Sequence, residues 1–210
     1  MNERKTIMST LHIPPAFENT NLSELHDFIG AFPFATVISN AAAITVSHLP
    51  LIVQEGGEYG TLIGHMAKAN QQWLDFDGVK SIVCIFHGPH AYTSPDWYKT
   101  LPAVPTWNYA VVHAEGIPEL VMDKAELLTL INNMVNHFEP SLHISEEFKE
   151  SQLDFIAGFK MKILAIQGKY KLGQNRSLAD QKGIIKGLSK QSDSDSKQLA
   201  EFICTYGDKN

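Results

Sequence analysis

Cysteine is scarce in this sequence: two in 210 residues, Cys84 and Cys204, far apart and in no CxxC arrangement. That spacing excludes a cysteine-based zinc site and a disulfide framework, and the two read as reduced thiols. No apolar run approaches the ~20 residues that a membrane-spanning helix requires. The opening MNERKTIMST lacks the apolar stretch and cleavage site of a secretory leader, so a cytoplasmic protein without a membrane segment is expected. A Gly-rich dinucleotide fingerprint is missing too. Gly56-Gly57 joins two strand-like runs and opens no helix, which makes it a hairpin turn. Basic charge is in deficit, 17 Lys and Arg against 23 Asp and Glu for a net −6, and this disfavours bulk attraction to nucleic acid.

What is present is ordinary for a globular chain, with 44% hydrophobic and 19% charged residues. The charge is uneven, however. Lys160 to Lys190 holds eight basic residues against the single acid Asp180, a local +7, while the other residues carry −13. Asn21-Leu22-Ser23-Glu24 reads as a capping box before an amphipathic helix that Pro33 closes. Phe34–Ser39, Ala43–Val53 and Tyr59–Gly64 read as antiparallel strands. Ala67–Trp73 follows as a short helix, then Ser81–Phe86 as a strand. Gly88–Thr106, with four prolines, reads as a long functional loop. Tyr109–Gly116 and Phe159–Gln167 read as strands, Asp123–Phe138 and Ser145–Phe155 as helices. Beyond Arg176 the signals weaken. Ser189–Lys197 is a hydrophilic linker and Leu199–Tyr206 a short terminal helix. The organisation expected is one domain over residues 1–188, then linker and helix over 189–210. Short strands with few intervening helices argue for a mainly β, α+β architecture built on a small antiparallel barrel.

Four blocks carry candidate chemistry. In Gly64-His65-Met66-Ala67-Lys68-Ala69-Asn70 a strand gives way to a helix, whose N-terminal N–H groups with His65 and Lys68 would favour an anion. Phe86 to Tyr98 brings His87, His90, Tyr92, Thr93, Ser94 and Trp97 together at the end of a buried strand. Aromatic faces suit a planar heteroaromatic ligand, and hydroxyls suit its phosphate or polyol. The histidines alternatively suit a metal, ranked lower for want of carboxylate or cysteine partners, or haem in an apolar pocket. Val104 to Tyr109 adds Trp107 beside an amide. Lys169 to Arg176 concentrates basic and amide side chains, Gln174 and Arg176 among them, and arginine suits bidentate phosphate recognition.

At these blocks the sequence resembles the PaiB family. The matching segments are Pro33–Thr36 with Ser47–Leu51, Gly64–Trp73, Phe86–Tyr98, Val104–His113 and Gly168–Arg176, within residues 8–190. The resemblance implies an FMN-binding split β-barrel of the pyridoxamine-phosphate-oxidase-like kind, a homodimer with the cofactor at its interface, and a negative regulator of protease synthesis and sporulation. Carried to this chain, the cofactor contacts are His65, Met66, Lys68, Asn70, His87, His90, Tyr92, Thr93, Ser94, Trp97, Trp107, Gln174 and Arg176. The phosphate falls to His65, Lys68 and Arg176, with Thr93 or Ser94 as neutral donors. Three positions depart from the family pattern: Lys68 stands for arginine, Gly173 for serine, and Thr93 where isoleucine is common.

Function divides among an FMN-binding regulator, a flavin-dependent oxidoreductase and a haem-binding or haem-degrading split barrel. Direct DNA binding is disfavoured by the acidic balance and by the lack of a basic recognition helix. Lys182, Lys186 and Lys190 would align if their segment were helical, but Gly183 and Gly187 count against a helix there.

Overall fold

The structure is a computed structural model and describes residues 11–207. Residues 1–10, read above for a leader, and 208–210 at the tail lie outside the described residues. In chain order the chain forms β1 (Glu18–Asn19), α1 (Leu22–Ala31), β2 (Phe34–Asn40), β3 (Ile44–Pro50), β4 (Ile52–Gln54), β5 (Thr61–Ala67), β6 (Ile82–Thr93), β7 (Thr106–Val121), α2 (Lys124–Phe138), α3 (Glu146–Gln152), β8 (Ile156–Lys171), α4 (Leu178–Ser189) and α5 (Ser194–Gly207). The strands order as β3-β2-β6-β7-β8-β5-β4, with β1 paired to β8. The fold is mainly β with flanking helices, as expected. None of the described helices is long and apolar enough to cross a membrane.

Two units make up the described chain, a larger one of residues 22–86 and 113–166 and a smaller one of residues 11–21, 87–112 and 167–207. In the larger unit, β2 pairs antiparallel with β3 and β6, and β5 with β4 and β8. Strand β3, at one end of the order, also packs on β5 near the other, so the sheet curls back. Helix α1 buries Leu25, Phe28 and Ile29, the spacing of one helical face. Asp123 caps α2 by accepting from Glu126 N at 2.9 Å. That helix lays Leu127, Leu130 and Met134 on Ile52, Ile63, Val121 and Leu153. Full burial of one such side chain contributes about 1.5–3 kcal/mol. A Cβ on Gly158 of β8 would stand 2.4 Å from Leu127 Cδ1, so the bare α-carbon lets the helix lie close.

In the smaller unit, α4 and α5 pack on each other through Ile184, Leu188, Leu199 and Ile203, all buried. Tyr170 at the end of β8 meets Phe202 of α5 with ring centroids 5.5 Å apart. Ser177 caps α4, accepting from Asp180 N at 3.2 Å.

Several boundaries differ from the sequence reading. Ala43–Val53 is two strands, broken at Leu51, whose N–H turns to Pro33 O at 2.9 Å. The helix expected over Ala67–Trp73 is a 3-10 turn over Gln71–Asp75. Strand β6 runs on to Thr93 and β7 begins at Thr106, so the long loop shrinks to residues 94–105. Ladder pairing carries both strands past the point where apolar alternation fades. Helix α4 forms despite Gly183 and Gly187, and α5 begins at Ser194, leaving residues 190–193 between them.

Candidate functional site

The larger unit holds four of the predicted contacts. On β5, Met66 is buried in the core. His65 faces α2, with Nδ1 3.3 Å from Met134 Sδ. Burial pushes the His65 pKa down, so at neutral pH the ring carries no charge for a phosphate. Lys68 follows the strand in a turn. Its N–H bonds Phe155 O at 2.8 Å, and its carbonyl accepts from Trp73 Nε1 at 3.0 Å. The Lys68 charge also helps Lys124, the dominant partner, hold the Asp154 carboxyl below the usual range. Asn70 is spent locally, accepting from Gln72 N at 3.1 Å and donating to Ser47 Oγ at 2.7 Å. The helix N-terminus expected here as an anion site is therefore replaced by one short 3-10 turn that Asn70 caps itself.

The smaller unit holds the other nine. Along β6 the alternation of buried and exposed residues slips by one at Gly88-Pro89, both buried, so that His87, His90 and Tyr92 all come to the exposed side. Such a slip is how a strand re-aims its side chains. On β7, Trp107 is 53% exposed, and its ring lies 5.8 Å from that of His90 at a tilt of 48°. Lys169 Nζ stands 5.5 Å above the Tyr109 ring. These side chains give the unit an open aromatic face with a cation on it. Three predicted contacts are placed otherwise. Thr93 is fully buried and its hydroxyl has no hydrogen-bond partner among the described residues. Ser94 caps the Pro95–Trp97 turn by accepting from Asp96 N at 3.2 Å. Trp97 is packed by α4, where a Cβ on Gly187 would come 2.2 Å from the indole.

Beyond β8 the chain makes a basic corner. Gln174 shapes it, accepting from Leu172 N at 2.8 Å and donating to Tyr170 O. Gly173 supplies the left-handed φ of +94° that the turn needs. Arg176 is thereby laid over the Tyr98 ring, 4.8 Å from its centroid. Lys171 Nζ donates to Thr106 Oγ1 and to Trp107 O. Burial lowers the Lys171 pKa, and the charges of Lys169 and Arg176 add to that. Asp180 does not relieve this crowding, because its carboxylate accepts from Lys99 N at 2.6 Å and Thr100 N at 2.9 Å. Burial alone would raise the Asp180 pKa, but those amides and the hydroxyls of Thr100 and Ser177 together hold it below the usual range.

Next to these cations lies a cavity of about 80 Å³ lined by Tyr98, Thr106, Asn108, Lys171, Asn175 and Arg176, among others. Asn108 is 2% exposed and its Nδ2 has no hydrogen-bond partner among the described residues. An orphaned amide donor, an ammonium and a guanidinium around one small space form a receptor for an anionic oxygen cluster. Arg176 is among the contacts expected from the sequence, whereas Asn108 and Lys171 stand in the candidate blocks but not among those contacts. Asn108 was detectable: Ala110 and Val112 continue its face of β7, so a polar residue there had to be buried.

A family model described as "Putative FMN-binding domain" matches residues 11–167. "Protease synthase and sporulation protein PAI 2" of Bacillus subtilis (strain 168) is 35% identical over 201 residues, 92% of this chain and 96% of the relative. Among solved structures, the flavocytochrome Anf3 from Azotobacter vinelandii superposes with a TM-score of 0.60 at 16% identity, covering 77% of this chain and 73% of that one. The FAD and heme binding protein from Mycobacterium smegmatis gives 0.59 at 12% identity, with 74% of each chain covered. At such identities the two structures report on the fold.

Proposed function

The chain belongs to the PaiB-type FMN-binding family, and from that premise we propose that it is a cofactor-gated regulator that holds the FMN phosphate in the corner made by Asn108, Lys171 and Arg176. FMN is its cofactor, and the residues fit the group. The observation that carries the assignment is the buried Asn108 amide, whose Nδ2 has no hydrogen-bond partner among the described residues, beside two cations that no described acid pairs with. The open aromatic face of His90, Tyr92 and Trp107 receives the flat ring system. When bound, FMN supplies reversible hydride and electron chemistry. The chain's own part is to neutralise the phosphate and orient the ring. Gln174 acts at one remove, by holding the turn that aims Arg176.

The regulatory half of the proposal takes its object from the Bacillus subtilis relative, which is named for protease synthase and sporulation. Gating by the cofactor fits a chain whose described larger unit carries fifteen acidic against six basic side chains, a balance that repels a polyanion. A homodimer is part of this reading. Phe34, Ile44 and Val46 stand exposed on the β2–β3 hairpin, where Ile38 pairs with Val46 and Asn40 with Ile44, and a second copy would cover that apolar face.

Titrating FMN and riboflavin into apo-protein tests the corner. FMN is expected to bind at least about tenfold more tightly, since charged hydrogen bonds contribute about 1.5–3 kcal/mol each. Equal affinity for riboflavin would remove the phosphate assignment. Sequence-specific binding of the protein's own upstream DNA at nanomolar concentration without FMN would overturn the gating.

A further inference from the structure

Helix α4 has a second side. A Cβ on Gly183 would come 2.0 Å from Trp97 O, and one on Gly187 2.2 Å from the Trp97 ring. These two glycines, one turn apart, let the helix lie against the Pro95–Trp97 turn at a distance no side chain would permit. Asp180, one turn earlier, pins the same loop through Lys99 N and Thr100 N. Between helix and loop this leaves a groove of about 380 Å³, lined by Lys99, Lys182, Lys186, Lys190, Asp96 and Trp97, among others.

The groove's charge is unbalanced. Three lysines outside the groove have acid partners: Lys124 with Asp154, Lys149 with Glu146, Lys160 with Glu126. Among the described residues, none of the four groove lysines makes an ion pair, and Asp96 is the one carboxylate in the lining. Lys182, Lys186 and Lys190 succeed one another at about 6 Å along the helix. Four ammoniums in a space of this size call for several negative charges close together on a small ligand.

We propose that this groove is a second anion site, separate from the flavin corner, and that it takes a chain of linked phosphates. Donors dominate the lining, so an occupant that only accepts hydrogen bonds is satisfied on every side. An acidic peptide brings its own N–H groups and finds little to receive them. A nucleic-acid duplex, which the acidic larger unit repels, is also far too wide for a groove of nucleotide size. A phosphate chain has two sources, free inorganic tripolyphosphate and the tail of a nucleoside triphosphate, whose base would have the Trp97 indole beside it.

The test is calorimetric titration of FMN-saturated protein with tripolyphosphate, ATP and a short single-stranded oligonucleotide. Tripolyphosphate is expected to bind, and the exposed pair Lys182→Gln/Lys186→Gln to weaken it at least about tenfold while FMN affinity and melting temperature stay put. Lys160→Gln, outside the groove, serves as control and leaves binding intact. ATP binding more tightly than tripolyphosphate identifies a nucleotide source, and equal affinity identifies the inorganic chain. Tripolyphosphate affinity unchanged in the double variant, or lost in Arg176→Ala alone, overturns the proposal. The second result would mean that the flavin corner was the site after all. An oligonucleotide that binds through the same lysines more tightly than ATP overturns it in favour of nucleic acid.

Discussion

A buried amide nitrogen without a partner costs about 1–3 kcal/mol, and Asn108 carries one inside the smaller unit's cavity. Replacing it by leucine, of similar size, removes the unsatisfied donor and the proposed ligand contact together. Asn108→Leu is therefore expected to raise the melting temperature of the apo-protein yet weaken FMN about tenfold. Thermal denaturation and a fluorescence titration read the two effects, and a variant that lost stability and kept FMN would mean that the amide serves the fold. Thr93 has a similarly orphaned hydroxyl but lines no described cavity, and isoleucine is common there in the family the chain resembles. Thr93→Val is expected to stabilise and to leave FMN binding unchanged. Two titratable groups add pH dependence. Burial depresses the His65 pKa, so below the unfolded value near 6.5 the unfolded chain takes up a proton that the folded one refuses. Stability then falls as pH drops from 6.5 towards the folded value. His65→Gln should flatten that part of a melting-temperature profile. Lys171, lowered by burial and by Lys169 and Arg176, loses its proton before an ordinary lysine does. FMN affinity should accordingly decline at an alkaline pH below 10.5, and Lys171→Arg should move the decline upward.

At the scale of elements, sequence reasoning succeeded where apolar periodicity persisted and failed where packing overrode it. Helix α2 was legible because Asp123 caps it and Leu127, Leu130 and Met134 recur at helical spacing. Strand β6 was cut short because Gly88 and Pro89 look like a loop, whereas in the structure they re-phase the strand. Helix α4 was doubted for its glycines. Their purpose is visible only from the other side of the contact, in Trp97, which lies some ninety positions away in the sequence. This makes a sharp prediction. Glycine to alanine in a helix interior ordinarily stabilises by about 0.8–1 kcal/mol. Here Gly183→Ala would drive a methyl into Trp97 O and Gly187→Ala one into the indole. Overpacking typically costs about 1–3 kcal/mol, so both variants should melt lower than wild type. A rise in melting temperature for either would mean that α4 does not lie on Trp97. At the proposed site, Arg176 stands out in the sequence by its basic, amide-rich surroundings, whereas the turn that Gln174 holds through Leu172 N and Tyr170 O is visible only in the structure.

Over the whole molecule, charge and apolar surface decide how the chain meets others. The described larger unit holds fifteen acidic and six basic side chains, the described smaller unit six acidic and eight basic, so the net −6 is made of −9 and +2 in the described units and +1 in the other thirteen residues. Long-range attraction for phosphate belongs to the smaller unit alone, and it should fall with added salt on the scale of a Debye length of about 8 Å at physiological ionic strength. The proposed association draws instead on the larger unit. Ile44 is 73% exposed, Phe34 65% and Val46 50%, clustered on one hairpin at the end of the sheet order. An edge strand carrying apolar side chains invites pairing with another chain unless something covers it. A twofold assembly covers such a face with its own copy, each molecule presenting the same patch. Ile44→Lys/Val46→Lys would set four ammoniums against one another across that axis. Because these side chains are exposed, the variant is expected to fold with an unchanged sheet signature in circular dichroism. Light scattering should then show wild type at twice the 23.4 kDa chain mass and the double variant at the chain mass. A double variant that stays dimeric would place the interface elsewhere, and a wild type that is monomeric at micromolar concentration would end the homodimer reading. Should FMN affinity fall along with dimerisation, the partner's surface completes the cofactor site; if affinity holds, each smaller unit binds its flavin alone.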